Sequence, residues 1–171
     1  MTLAALSTLS DEDFPIPGVD PWHASADDLA LTVMTDFRER SSVTVAETSS
    51  VDEALAHMKH VGVRCAFATS ANQRVVGLVT AYDILGDAPL RHVQAIAGRR
   101  GDVMVRDIMC RPTKWQVLDV TDLERMTVES LYQLFEATRL THIPVMECPA
   151  GGARKLRGLL SAAKVRRLLS R

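Results

Sequence analysis

Two stretches of this chain, about eighty residues apart, carry the same phrase. Val75-Val76-Gly77-Leu78-Val79-Thr80-Ala81-Tyr82-Asp83 recurs as Leu156-Arg157-Gly158-Leu159-Leu160-Ser161-Ala162-Ala163-Lys164. Each reads as a short apolar strand with a central glycine, running through a hydroxyl residue into a helix. A repeat of this size means a duplicated unit, and its strand-to-helix turn is where a ligand is expected. Met34 pairs with Met109, Val51 with Val128, Ala66 with Pro144 and Gly77 with Gly158, so the offset widens from 75 to 81, as small loop insertions would produce. The largest insertion falls at Cys148-Pro149-Ala150-Gly151-Gly152-Ala153, which reads as a hairpin loop; the first copy has the shorter Ser70-Ala71-Asn72-Gln73.

Within each copy the pattern is strand, helix, strand, strand, helix. Val51, Ala54, Leu55 and Met58 have the i, i+3, i+4, i+7 spacing of an amphipathic helix, and Ser50 with Glu53 supplies a capping box. Thr127 caps the second copy, with Val128, Leu131, Tyr132 and Phe135 on the buried stripe. Gly62 is placed to end the first helix. Cys65-Ala66-Phe67-Ala68 and Ile143-Pro144-Val145-Met146 suit buried strands, and second helices are expected from about Tyr82 and Ala162. A unit of this kind leaves surfaces unfilled, so two copies should pack together. The division predicted is an amino-terminal arm at 1–30 with little regular structure, unit 1 at 31–88, a linker at 89–103 with an exposed turn at 98–101, and unit 2 at 104–171.

With 171 residues, 47% of them hydrophobic, the chain can bury a core. No apolar run approaches the roughly 18 residues of a membrane span, and the amino terminus lacks the basic flank of a signal peptide. A soluble, cytoplasmic protein is the expectation. Three cysteines with no CxxC argue against a disulfide framework or zinc knuckle, and Cys65 reads as a small buried hydrophobe.

The whole arrangement resembles the tandem cystathionine-β-synthase (CBS) domain pair, or Bateman module. The motifs that carry the resemblance are Val33-Met34-Thr35 and Asp107-Ile108-Met109, the capped helices, His142-Ile143-Pro144-Val145, and Gly77-Leu78-Val79-Thr80-Ala81-Tyr82-Asp83. It spans Leu31 to the carboxyl terminus. It implies an α/β (α+β) fold of two units related by a pseudo-two-fold axis, a stand-alone module, adenosine-nucleotide binding (AMP, ADP or ATP) in clefts between the units, and a disc-shaped homodimer. No obligatory cofactor is implied.

The same resemblance assigns the ribose to Thr80 and Asp83. A carboxylate accepts from both hydroxyls of a cis-diol, and charge-assisted bonds are worth roughly 1.5–3 kcal/mol each. Thr80-x-x-Asp83 is also a capping box in its own right. Base and phosphate contacts are expected from Val43, Arg64, Cys65, Ala66 and Tyr82. Ala66-Phe67 stands where the family has Pro-Val, which alters the base pocket. Arg64 and His142 are taken as matching positions, either facing phosphate or carrying solvated charge. The second cleft, with His142, Ile143, Pro144, Ser161 and Lys164, departs from the pattern. Lys164 replaces the diol-binding carboxylate, and an ammonium only donates, so unequal sites are expected.

Other chemistries fit poorly. Ser161-Ala162-Ala163-Lys164 formally matches a Ser-x-x-Lys motif without its companion sequences. His57 and His60 lie off the apolar stripe with no completing ligand, so no metal site is predicted. No Walker loop or nucleophile elbow occurs, and an enzyme is not expected. From Gly151 onward Arg154, Lys155, Arg157, Lys164, Arg166, Arg167 and Arg171 occur with no acid, while the arm is acidic. That basic end could bind nucleic acid weakly, pair with acids within the chain or a dimer, or steer a polyphosphate; a net charge of −1 and scarce aromatics disfavour a dedicated nucleic-acid binder. The leading expectation is a regulatory nucleotide-binding module whose Asp83 cleft signals to a partner protein. The alternative is a structural or interaction module with vestigial clefts. Helices near Tyr82-Ile84-Leu85 and Val165-Leu168-Leu169 are expected at a dimer contact.

Overall fold

The structure, a computed structural model, describes residues 23–149 and 152–169. Most of the arm, the tip of the 148–153 loop and Arg171 therefore lie outside the described residues. The strands are β1 (Thr35–Asp36), β2 (Thr44–Ala46), β3 (Cys65–Thr69), β4 (Val75–Thr80), β5 (Leu118–Asp119), β6 (His142–Glu147) and β7 (Lys155–Ser161). The helices are α1 (Val51–His60), α2 (Ala81–Leu85), α3 (Ala88–Ile96), α4 (Val105–Ile108), α5 (Val120–Leu123), α6 (Val128–Thr138) and α7 (Ala162–Leu169). The duplicated pattern is β2-α1-β3-β4-α2 in one copy, and in the other β5, α6, β6, β7 and α7, with α5 inserted after β5.

The helices start where the caps dictate. Ser50 Oγ accepts from the Glu53 amide while the Glu53 carboxylate accepts from the Ser50 amide at 2.9 Å. Thr127 caps α6 by accepting from the Ser130 amide. Gly62, at φ +73°, follows the end of α1, a conformation that glycine adopts without steric cost. The stretch expected to join the copies is itself partly helical: α3 fills residues 88–96. Arg100, in the turn after it, reaches Asp52 and the carbonyl of Ile84, each at 3.2 Å.

The sheets exchange their leading strands. β2, β3 and β4 form one sheet and β1, β7, β6 and β5 the other. β1 precedes the first copy in sequence, yet it pairs antiparallel with β7 of the second. Reciprocally, Cys110 precedes the second copy but bridges Leu78 on β4, with backbone hydrogen bonds of 2.9 and 2.8 Å. The two methionines of the repeat make the exchange fit. A Cβ on Gly77 would lie 2.4 Å from Met109 Sδ, and one on Gly158 would lie 2.5 Å from Met34 Sδ. Each glycine is required by the methionine that crosses it. Arg157 on β7 binds Asp36 of β1 and lies 3.8 Å from Glu147, which also binds Arg38.

The cores follow this exchange rather than the linear division at 31–88 and 104–171. Ala30, Val33 and Met34 pack with Leu131, Phe135, Val145 and Leu160 of the second copy. Val103, Val105 and Met109 pack with Val51, Met58, Val79 and Ile84 of the first. A third cluster, Cys65, Phe67 and Leu78 with Phe37, Trp115, Leu156 and Leu159, forms the seam between the sheets. Ile84, Val165 and Leu168 are buried in their own units, which corrects their assignment to a dimer contact: they lie on the one face of each short helix that turns inward. Tyr82 and Leu85 remain 52% and 67% exposed.

Two other readings are corrected. Ala66 lies opposite Val79, and Ile143 opposite Leu160. With Val79 and Leu160 equivalent in the repeat, Ala66 therefore corresponds to Ile143, not to Pro144. The carbonyls of Arg64 and Thr141 accept from Ala81 and Ala162 respectively, so Arg64 matches Thr141, and His142 matches Cys65. The offset stays at 77 from α1 to the inner strand, as Val51–Val128 and Ala66–Ile143 show, and rises to 81 only across the hairpin. The basic end is also less bare than its sequence: Arg157 is paired with acids, and Arg166 binds Glu136 at 2.7 Å.

Candidate functional site

Among the described residues, Thr80 is the only buried polar side chain, at 4% exposure. It ends β4 and caps α2. Its Oγ1 accepts from the Asp83 amide at 3.2 Å, while Asp83 Oδ2 accepts from the Thr80 amide at 2.9 Å and the Thr80 hydroxyl at 2.7 Å. Capping of this kind recurs at Glu53, Asp102 and Asp107, so it does not by itself mark a site. What distinguishes the Thr80–Asp83 turn is burial and surroundings. All the hydrogen bonds that Asp83 accepts here fall on Oδ2, leaving Oδ1 for another donor.

The surroundings come from both copies. Arg64 sits at the entry to β3, exposed, with its backbone carbonyl bound to the start of α2 at 2.9 Å. Cys65 lies opposite Thr80 across β3 and β4. His142, from β6 of the second copy, senses the charges of both Asp83 and Arg64. Cys110, on the crossing segment, senses Asp83 and Lys114. Burial pushes the Cys65 thiol up to about 12, with Asp83 adding to the effect. Burial likewise lowers His142 to about 4; Arg64 pushes the same way and Asp83 opposes both. At neutral pH the cluster thus holds a protonated thiol and a neutral imidazole, the reverse of an activated thiolate–imidazolium pair. The cluster offers an acceptor at Asp83, a cation at Arg64, and a neutral ring at His142.

The remaining residues singled out from the sequence are placed as follows. Ala66 turns into the first core, and Val43 packs against that core. Tyr82 lies exposed on the first turn of α2. Ile143 is buried in the second core, and Pro144 lies opposite Leu159. In the second turn, Ser161 Oγ accepts the Lys164 amide only at 3.5 Å, a looser cap with no carboxylate. Sequence reasoning passed over Cys110, Lys114 and Trp115. The sequence shows only that Met34 and Met109 are equivalent, so the residues after each should behave alike; it does not show which sheet they join.

The CBS domain family model matches residues 31–88. Residues 31–88 thus have the sequence of a CBS domain. CBSX2 in complex with AMP, a CBS-pair protein from Arabidopsis thaliana, superposes with a TM-score of 0.55 at 24% identity, covering 82% of this chain and 93% of that one. An uncharacterized conserved protein from Pyrococcus horikoshii gives 0.57 at 20% identity over 83% and 92%. A hexameric CBS-CP12 protein from bloom-forming cyanobacteria gives 0.52 at 25% identity over 80% and 65%. No curated protein matches the sequence. These likenesses extend the CBS fold past residue 88 to the second repeat, and the chain has the α+β architecture of a CBS pair. No helix among the described residues is long and apolar enough to cross a membrane.

Proposed function

We propose that this CBS pair is a regulatory module that binds an adenine nucleotide in the cleft at Asp83 and signals its occupancy to a partner protein. The observation that carries the reading is the Thr80–Asp83 turn: a buried hydroxyl and a half-used carboxylate at the end of β4, near a cation from the first repeat, Arg64, and a neutral imidazole from the second, His142. The AMP complex of CBSX2, whose fold this chain shares, supports the class of ligand. Asp83 Oδ1 accepts from the ribose hydroxyls, Thr80 holds the carboxylate in place, and Arg64 and the neutral His142 face the phosphate. The Ser161–Lys164 cleft lacks the acceptor and is the weaker nucleoside site. Occupancy regulates through unequal affinity for two arrangements of the pair. Pairing of two copies through the exposed face of Tyr82 and Leu85 belongs to the same reading.

Calorimetric titration with AMP, ADP and ATP tests it. Asp83→Asn keeps the shape and the cap acceptor but removes the charge; loss of one charge-assisted bond of roughly 1.5–3 kcal/mol lowers affinity about 10- to 150-fold. Lys164→Ala changes it less than about threefold. Undiminished binding by Asp83→Asn, or no binding by the unaltered chain at millimolar nucleotide, overturns the assignment in favour of an interaction module with vestigial clefts. The loose cap and missing carboxylate of the second turn are the features that favour that second reading.

A further inference from the structure

The segment from Cys110 to Trp115 belongs by sequence to the second repeat, yet it is built onto the first sheet beside the Asp83 turn. Three observations fix it there. Cys110 pairs with Leu78, two residues before Thr80 on the same face of β4. Trp115 Nε1 donates to the Cys110 carbonyl at 2.9 Å. The indole then meets Phe67 edge-on at 6.0 Å between centroids, and Phe67 in turn meets Phe37 at 5.7 Å. Phe67 is itself 1% exposed and lies two residues from Cys65 on the seam face of β3. Trp115 is only half-buried, and Lys114 ends the short turn before it, exposed to solvent. An aromatic ring locked at its NH and held in a T-shaped contact is a rigid platform, and a lysine beside it is a mobile cation. An indole face takes a planar heterocycle, and an ammonium takes an anion.

We infer that Trp115 and Lys114 form the outer wall of the Asp83 cleft and set its ligand selectivity, Trp115 by stacking on the base and Lys114 by meeting the phosphate. This rests on the nucleotide reading above and adds to it the residues that discriminate among ligands. It also makes the cleft a product of the strand exchange, since its outer wall arrives from the other repeat. The Thr80–Asp83 turn supplies the sugar contact; the crossing segment supplies the contacts at either end of the nucleoside.

The test uses the full chain with Trp22 replaced by Phe, so that Trp115 is the only indole. Titration with AMP should quench or shift its emission in step with calorimetric binding. Trp115→Leu should weaken both AMP and adenosine by about tenfold or more, the usual loss when a base loses an aromatic partner, while Trp115→Phe recovers most of the affinity. Lys114→Ala should weaken AMP severalfold and leave adenosine unchanged, so that the preference for AMP over adenosine falls. Because Lys114 is exposed, that variant stays readable even if Trp115→Leu folds poorly. AMP binding that depends on Asp83 but is indifferent to both Trp115→Leu and Lys114→Ala overturns the outer wall and leaves the nucleotide reading standing. No nucleotide binding by the unaltered chain overturns both.

Discussion

The exchange of leading strands makes a quantitative prediction at its two glycines. Neither Gly77 nor Gly158 has a left-handed backbone, so each is glycine for space alone. A methyl on Gly77 would lie 2.4, 2.8 and 3.1 Å from Sδ, Cγ and Cβ of Met109, contacts made with one side chain only. A methyl on Gly158 would lie 2.5 and 2.8 Å from Sδ and Cγ of Met34, but also 2.7 Å from the carbonyl oxygen of Thr35, which is backbone. A methionine can swing aside; a strand of two residues held by its own pairing cannot move without breaking it. Overpacking of this kind costs about 1–3 kcal/mol, and Gly158→Ala should fall at or beyond the top of that range. The discriminating measurement is a pair of double-mutant cycles by urea denaturation. With Met109→Ala in the background, the cost of Gly77→Ala should drop below about 1 kcal/mol, a coupling of about 1–2 kcal/mol. With Met34→Ala in the background, Gly158→Ala should still cost about 2 kcal/mol or more, because the Thr35 oxygen remains. In a chain of this size that residue of destabilisation lowers Tm by about 4–8 °C. If Gly158→Ala becomes harmless once Met34 is shortened, β1 is not clamped on β7 and the proposed exchange of strands does not hold the pair together.

Two further predictions concern protons and backbone. His142 has a pKa lowered to about 4, against 6.5 in the unfolded chain. Between those values the unfolded state binds the extra proton, so stability present above pH 6.5 is lost as pH falls toward 4, by at most about 3 kcal/mol; His142→Gln should flatten the stability profile over that window, and an unchanged profile would refute the burial of a neutral imidazole there. Arg139 ends α6 at φ +58°, and Arg139→Gly should raise stability by about 0.5–1 kcal/mol in the same denaturation assay, with a loss of stability as the contrary result.

Much of this fold is written locally and was therefore legible. Ser50 with Glu53, Thr127, Gly62 and the apolar stripe of α1 each act within a few residues, and the structure honours them. The repeat itself carried the family resemblance. What could not be read were pairings set by distant parts of the chain. Nothing near Met34 says that it crosses Gly158 rather than Gly77; both glycines present the same notch, and only the packing of two sheets decides. The one-residue error at Ala66 and Pro144 arose because both strands are apolar throughout, so sequence pattern alone does not fix their register; the backbone bonds from Arg64 and Thr141 do. Arg157 and Arg166 looked unopposed because their acids, Asp36 and Glu136, lie 121 and 30 residues away. For the site, Thr80 and Asp83 were visible as a motif, whereas Cys110, Lys114 and Trp115 became neighbours of it only through the exchange.

That exchange bears on how occupancy of the cleft could be transmitted. β1 is fixed to the second sheet by its ladder and by Arg157, whose side chain is 11% exposed between Asp36 and Glu147; a partly buried ion pair of this kind resists displacement, since separating it strands a charge. The matching segment after Cys110 has no such ion pair among the described residues and is held by its bridge and by ring packing instead. Beyond its bridge to Leu78, its hydrogen bonds are internal: Trp115 to Cys110 and Pro112, and Lys114 to Arg111. The indole nonetheless packs on Phe67 in the seam between the sheets, so any shift of the turn is felt at that seam, whereas β1 is held by its ladder. A ligand meeting Asp83 on one side and Trp115 on the other would favour one placement of the turn by whatever its affinity differs between placements, tenfold for each 1.4 kcal/mol. The turn runs directly into β5 and α5 of the second copy, which makes it the shortest covalent path from the Asp83 cleft to the other unit.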